Sequence, residues 1–104
     1  MRNAIIRALS VVILGAAPIA YAQEDRDMNS LYEDMLDILD LPHRDLLERA
    51  QQAWADYRDA TCELIAERPG YPDVASSALE NCLAYLARER TTELRLIRLS
   101  LPAP

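Results

Sequence analysis

The sequence predicts an all-α fold, a small disulfide-stapled helical hairpin with an additional N-terminal helix. Apolar residues recur three and four positions apart along most of the chain, which is the period of one face of a helix. No segment shows the strict alternation of a half-buried strand. Two cysteines, Cys62 and Cys82, are placed to join the two predicted long helices.

The first 22 residues have the pattern of a secretory signal peptide. Arg2 and Arg7 precede an apolar run, and Ala20-Tyr21-Ala22 has the small residues of a cleavage site. The apolar run is shorter than the ~20 residues that span a bilayer, and no cysteine near the cleavage site could carry a lipid. We expect a signal peptide over residues 1–22, a mature domain over residues 23–104, and a periplasmic or secreted protein with no stable membrane anchor.

Capping residues and prolines predict where the helices begin and end. Ser30 with Glu33 forms a capping box, which predicts the start of the first helix at Ser30. This helix should end near Leu41, because the residue before Pro42 disfavours the helical conformation. Pro42 in turn suits the first turn of a second helix.

The second and third helices form the predicted hairpin. The second should run to about Arg68, before the turn at residues 69–73, which contains two prolines and a glycine. Ser77 with Glu80 forms another capping box, and the third helix should run from there to about Leu99. A narrow apolar seam is predicted along the second helix at Leu47, Ala50, Trp54, Tyr57, Thr61 and Leu64.

The two cysteines, 20 positions apart in an exported chain, are typical of a disulfide rather than a metal site or a redox pair. Closing that loop should stabilise the domain by roughly 3 kcal/mol. With Cys62 level with Cys82, antiparallel helices would place Trp54 opposite Arg90 as a cation–π pair. The same register pairs Leu47 with Ile97, Gln51 with Glu93, and Arg58 with Leu86, with Glu89 one turn away.

Two motifs carry a resemblance to a known family. The first runs from Ala50 to Cys62 as A-Q-Q-A-W-A-D-Y-R-D-A-T-C, and the second comprises Cys82-Leu83 followed by residues 90–94, R-T-T-E-L. From about Met28 to Leu99 the chain resembles the lysozyme inhibitor LprI-like N-terminal domain family. The resemblance implies an exported, helical, disulfide-bonded domain, and lysozyme inhibition is the activity that gives the family its name.

The motif residues allow two interpretations, a ligand site or internal packing. Their spacing and the register give each a position within the hairpin, which favours a structural role. These residues are Gln51, Trp54, Tyr57, Arg58, Asp59, Arg90 and Glu93.

Negative charge is concentrated near one end of the mature domain. Eight acidic residues against two arginines lie between Glu24 and Asp45, and Asp34, Asp37 and Asp40 are candidate partner-binding residues. They could be a solvated helix face or a surface that steers a basic protein such as lysozyme. A calcium site would need a glycine-bearing loop that they lack. Tyr71, between two prolines, is a second candidate, either as an exposed anchor or as a cap on the hairpin core.

The composition argues against an enzyme. His43 is the single histidine and no lysine is present, so neither a catalytic set nor a metal site can be assembled, and no cofactor is expected. The net charge of −6 disfavours nucleic acid as a partner. We expect a non-catalytic binding domain, an inhibitor of lysozyme or another peptidoglycan hydrolase. The alternatives are an envelope structural or assembly partner without inhibitory activity, or an immunity protein against a wall-degrading toxin.

Overall fold

The part of the chain that the structure describes folds into three helices packed side by side. The computed structural model describes residues 16–67 and 75–101. Helix α1 spans Ala16–Ile38, α2 spans Leu41–Ala66 and α3 spans Ala75–Ser100. The all-α prediction is confirmed, and no strand occurs in the two described ranges. Within these ranges no helix is both long enough and apolar enough to cross a bilayer.

Helix α1 begins well before the predicted start at Ser30, which lies exposed in its middle. Pro18 falls in the first turn, where its missing N–H is tolerated, and no glycine or proline follows before Pro42. The residues before Ser30 are also tied to the bundle, since the side chain of Met28 is buried. The capping-box prediction was therefore wrong, because nothing on the N-terminal side of Ser30 stops the helix.

Asp40 connects α1 to α2. Its backbone is extended, and its side chain accepts a hydrogen bond from the backbone N–H of His43 at 3.2 Å, so Asp40 is the N-cap of α2. Pro42 lies in the first turn, as predicted. Arg44 Nε donates to the carbonyl of Leu36 at 3.2 Å, which satisfies one of the open carbonyls at the end of α1. The end of α1 and the start of α2 are thus bonded to each other.

The disulfide joins α2 and α3. Cys62 and Cys82 are bonded, with their Cα atoms 5.5 Å apart, as the sequence predicted. Helix α3 begins at Ala75 rather than at Ser77, so Ser77 lies inside the first turn and is not its N-cap. Alanine has the highest helix propensity, which allows the helix to extend to it. The predicted turn at residues 69–73 lies outside the described residues.

Helix α1 packs along α3 more extensively than α2 does. The core is small and draws on all three helices, with Met28 and Met35 from α1, Leu47 from α2, and Ala87 and Leu94 from α3. A core of this size leaves the domain dependent on its disulfide and on the polar contacts between helices.

The predicted seam on α2 is only partly correct. The buried side chains of α2 are Leu47, Arg58 and Cys62, whereas Tyr57 is 57% exposed and Leu64 is 76% exposed. Tyr57 is one residue from Arg58, which is about 100° around the helix. The bond from Cys62 to α3 and the contact from Arg58 to α1 fix the rotation of α2, and this rotation turns Tyr57 and Leu64 outward.

Candidate functional site

Trp54 lies between two arginine side chains. The guanidinium carbon of Arg58 is 4.8 Å from the centroid of the Trp54 ring, and that of Arg90 is 5.9 Å from it. The predicted pairing of Trp54 with Arg90 is therefore confirmed. Each guanidinium over an aromatic face contributes about 0.5–2 kcal/mol when water is largely excluded. We call Trp54, Arg58 and Arg90 the Trp54 cluster.

Arg58 is buried and bonds to α1 rather than to α3. Its Nη1 donates to Asp25 Oδ1 at 2.7 Å, and its guanidinium lies 5.6 Å from the ring centroid of Tyr21. Burial, followed by the negative charge of Asp25, raises the pKa of Tyr21. The hairpin register predicts Arg58 opposite Leu86, with Glu89 one turn away. This prediction is wrong for the guanidinium group, which bonds to Asp25 of α1. The hairpin register relates only α2 and α3. In the sequence, Asp25 stands out only as one residue of the acidic run from Glu24 to Asp45.

Arg90 links the two motifs of the sequence. Its Nη1 donates to Glu93 Oε1 at 2.6 Å and its Nε donates to Gln51 Oε1 at 3.0 Å. The amide of Gln51 also contacts Met28 Sδ at 3.6 Å. Gln51 and Glu93, predicted to face each other, therefore meet through Arg90. Asp59, in contrast, is exposed and lies 3.8 Å from Arg58 Nε, too far for a hydrogen bond.

Two buried nitrogens of the Trp54 cluster, Arg58 Nε and Arg90 Nη2, have no hydrogen-bond acceptor among the described residues. An unsatisfied buried donor costs about 1–3 kcal/mol. Both nitrogens belong to guanidinium groups that stack on Trp54, and the negative face of the ring offsets part of that cost. The geometry of the cluster fits a structural role, which is to hold the three helices in register.

The acidic run from Glu24 to Asp45 divides into internal and surface residues. Asp25 pairs with Arg58, and Glu24 pairs with Arg88 at 3.1 Å, so these two acids join helices. Asp34 and Asp37 are exposed on α1 and form no hydrogen bond or ion pair with the residues described.

Asp40 is exposed but engaged in capping. Its carboxylate contacts His43 Nδ1 at 2.6 Å in addition to the backbone N–H of His43. These hydrogen bonds, the side-chain one first, lower the pKa of Asp40. Of the three candidate aspartates, Asp34 and Asp37 are available to a partner, whereas Asp40 also stabilises the start of α2. Tyr71, the other candidate, lies outside the described residues.

Helix α2 carries a second acidic surface that the sequence analysis missed. Its exposed acids recur at helical spacing with Arg49 among them, and they point away from the buried face. A plot of charge around the helix axis would have shown them. We call them the α2 acidic stripe: Asp45, Glu48, Asp56, Asp59, Glu63 and Glu67.

An open groove of about 790 Å³ lies between α2 and α3. Trp54 and Leu86 line it as partly buried residues, and Tyr57, Tyr85 and Leu96 line it as exposed ones. Leu96 is two residues from the buried Leu94, about 200° around α3, so the groove opens on the side of the hairpin away from α1. We call it the α2–α3 groove.

Few side chains in the described ranges are suited to catalysis or to metal binding. No group of three His, Cys, Asp or Glu side chains there could hold a metal ion. His43 is already bonded to Asp40, and both cysteines form the disulfide.

The profile of the family described as "Lysozyme inhibitor LprI" matches residues 10–94. The chain belongs to the LprI family. The description of this family is that of a lysozyme inhibitor. The match covers both sequence motifs and all of the Trp54 cluster.

Two relatives are similar to the chain in sequence. An uncharacterized protein of Rhizobium meliloti (strain 1021) is 34% identical over 80 residues, covering 77% of this chain and 52% of the relative. The uncharacterized protein YecT of Escherichia coli (strain K12) is 34% identical over 63 residues, covering 57% of this chain and 39% of YecT. The chain therefore spans about half or less of the length of these relatives. No solved structure matches it significantly.

Proposed function

We propose that this LprI-family chain is an exported, non-catalytic inhibitor of lysozyme or of a related peptidoglycan hydrolase. The observation that carries the proposal is the family match over residues 10–94. Export would follow from a signal peptide ending at Ala22. Its cleavage would remove Tyr21 and shorten α1 to residues 23–38, while Asp25 would remain as the acceptor for Arg58. The oxidised Cys62–Cys82 pair suits an extracytoplasmic compartment.

The surface charge supports binding to a basic enzyme. Asp34 and Asp37 are exposed on α1 and form no hydrogen bond or ion pair with the residues described, so their charges are available to a partner. Complementary charge raises the rate at which two proteins meet, and salt screens this effect. Inhibition by steric blockage of the glycan-binding cleft would then need no catalytic residue in this chain.

The test is the lysis of a peptidoglycan suspension by a c-type lysozyme, measured by turbidity with and without the oxidised mature chain, residues 23–104. We expect stoichiometric inhibition that weakens between about 10 and 150 mM salt, because the Debye length falls from roughly 30 to 8 Å over that range. If the folded chain inhibits neither lysozyme nor another peptidoglycan hydrolase at either salt concentration, the inhibitor assignment is wrong. An envelope binding partner without inhibitory activity would then be the better interpretation.

Charge-reversal variants test where the enzyme approaches. The double variant Asp34→Lys/Asp37→Lys removes two exposed acids that make no internal contact, and it leaves the cap at Asp40 intact. We expect its association rate with lysozyme to fall about tenfold at low salt. Glu63→Lys/Glu67→Lys, which changes the net charge equally at the far end of α2, is the matched control. Equal losses in both variants would show that net charge alone matters, against a specific role for Asp34 and Asp37.

A further inference from the structure

We infer that the α2–α3 groove is the surface that contacts the partner, and that it receives an apolar side chain from a basic segment of that protein. The inference rests on the proposed inhibitory function and names the contact surface for it. Trp54, Tyr57, Arg90 and Glu93 of the two motifs line this groove, which is formed only when α2 and α3 pack together.

The groove has the form of a recognition site. Its volume of about 790 Å³ is within the range of sites that accept a side chain or a small ligand. Trp54 and Leu86 form its partly buried floor, while Tyr57 and Tyr85 stand exposed on the two helices. Beyond Tyr85 it continues into a shallower apolar groove of about 380 Å³ that includes Ile65.

Tyr57 and Tyr85 are 57% and 53% exposed, and both line the α2–α3 groove. Single exposed apolar residues are common on protein surfaces, but a contiguous set around one groove marks an interaction site. Tyrosines also lose little conformational freedom on binding and are enriched among residues that dominate binding energy. The helices that carry Tyr57 and Tyr85 are held together by the disulfide, so the groove is largely preorganised.

The charged residues at the edge of the groove favour a basic occupant. Glu89 and Glu93 line the groove, and Glu93 is neutralised by the buried Arg90. Glu89 forms no ion pair with the described residues, and the exposed Asp56 of α2 immediately precedes Tyr57. The nearby cation, Arg88, lies 5.8 Å from the Tyr85 ring centroid and is held by Glu24. The groove edge is therefore acidic.

The same charge disfavours a second copy of this chain as the occupant. Face-to-face pairing would bring the free carboxylate of Glu89 and the α2 acidic stripe of two molecules together, in a chain with a net charge of −6. A partner segment with an apolar residue flanked by arginine or lysine would pack the apolar side chain against Tyr57 and Tyr85. Its cations would lie beside the acidic edge of the groove.

The lining residues of the groove all belong to α2 and α3, so Asp34 and Asp37 of α1 lie outside it. Helix α1 covers the face of α3 that contains Ala87 and Leu94, and Tyr85 and Leu96 project away from it. Loss of Asp34 and Asp37 should therefore change mainly the association rate, whereas loss of Tyr57 and Tyr85 should change mainly the dissociation rate.

The test uses the oxidised mature chain, residues 23–104, and the double variant Tyr57→Ser/Tyr85→Ser. Serine has nearly the same helix propensity as tyrosine, and both rings are exposed, so the helices should remain intact by circular dichroism. Leu41→Ser/Leu99→Ser removes two exposed apolar side chains outside the groove and is the matched control. We expect the groove variant to bind c-type lysozyme at least tenfold more weakly, mainly through faster dissociation, and the control to stay within twofold.

Binding of the groove variant within twofold of the unmodified chain would overturn the inference while leaving the inhibitor assignment intact. If the unmodified chain does not bind lysozyme, a second probe tests the groove directly. This probe is the acetylated, amidated peptide (Lys-Leu-Leu-Lys)₃, titrated against the fluorescence of Trp54, the single tryptophan. Saturable binding that the groove variant loses and the control keeps would support the groove.

Absence of peptide binding, or equal binding by both variants, would overturn the inference. Sedimentation velocity gives an independent answer. A dimer of the unmodified chain that becomes monomeric in Tyr57→Ser/Tyr85→Ser would identify the groove as a self-association surface, which also contradicts a basic partner segment.

Discussion

Removing the carboxylate of Asp25 should destabilise the domain more than removing any exposed acid. Asp25 accepts a hydrogen bond at 2.7 Å from Arg58, whose side chain is 10% exposed. In Asp25→Ala the guanidinium stays buried on Trp54 but loses its direct acceptor. The substitution thus tests whether the bond between α1 and α2 contributes to stability.

The expected loss follows from the surroundings of the pair. A hydrogen bond to a charged group contributes about 1.5–3 kcal/mol, and breaking a fully buried ion pair costs about 3–5 kcal/mol. The side chain of Asp25 is 27% exposed, so solvent screens part of this interaction. We expect Asp25→Ala to lower the free energy of unfolding by about 2 kcal/mol, which for a domain of this size lowers Tm by roughly 10 °C.

Thermal and urea unfolding of the oxidised protein, followed by circular dichroism, measure this loss. Asp59→Ala is the matched control, because it removes a carboxylate near the same guanidinium with the same gain in helix propensity. The side chain of Asp59 is 70% exposed and 3.8 Å from Arg58 Nε, so its loss should cost less than about 0.5 kcal/mol. Equal destabilisation by the two variants would show that the buried bond from Arg58 to Asp25 contributes no more to stability than the exposed carboxylate of Asp59.

Two further predictions concern the disulfide and the cap of α2. Cys62→Ala/Cys82→Ala should lower the free energy of unfolding by about 3 kcal/mol, and a urea midpoint unchanged from the oxidised chain would contradict this. The lowered pKa of Asp40 contributes stability that is present above its unfolded-state pKa and is lost as pH falls through the folded-state value. Asp40→Asn keeps the cap but has no carboxyl group to titrate. The urea midpoint of this variant should therefore fall less than that of the unmodified chain between pH 5 and 3, the range around the ordinary carboxyl pKa. If the urea midpoints of the two proteins fall in parallel over this range, Asp40 does not have this role.

The sequence predicted the hairpin well because its determinants are local or covalent. Helical periodicity located α2 and α3, and the cysteine spacing set a register that paired Trp54 with Arg90 correctly. The same reasoning failed for the guanidinium of Arg58, since its acceptor, Asp25, comes from a helix that the register did not include. A register between two helices cannot show that a residue of a third helix bonds to the same side chain.

The candidate site was harder to predict than the fold. Tyr57 was assigned to the seam because its spacing from Trp54 and Thr61 suits one helix face, but the rotation of α2 places the ring on the α2–α3 groove. That rotation depends on contacts with both other helices and on the disulfide. Asp34 and Asp37 were recognised as surface acids from charge alone, because exposed polar residues on a helix need no partner to fix their position.

The contact between α1 and α3 has a consequence for the order in which the chain folds. The disulfide closes a loop of 20 positions, whereas the ion pair from Glu24 to Arg88 joins residues 64 positions apart. Closing the shorter loop costs less entropy, so contacts within the hairpin form more readily than docking of α1. We expect α2 and α3 to associate first, and α1 to be the element whose amide hydrogens exchange earliest when the native protein opens locally.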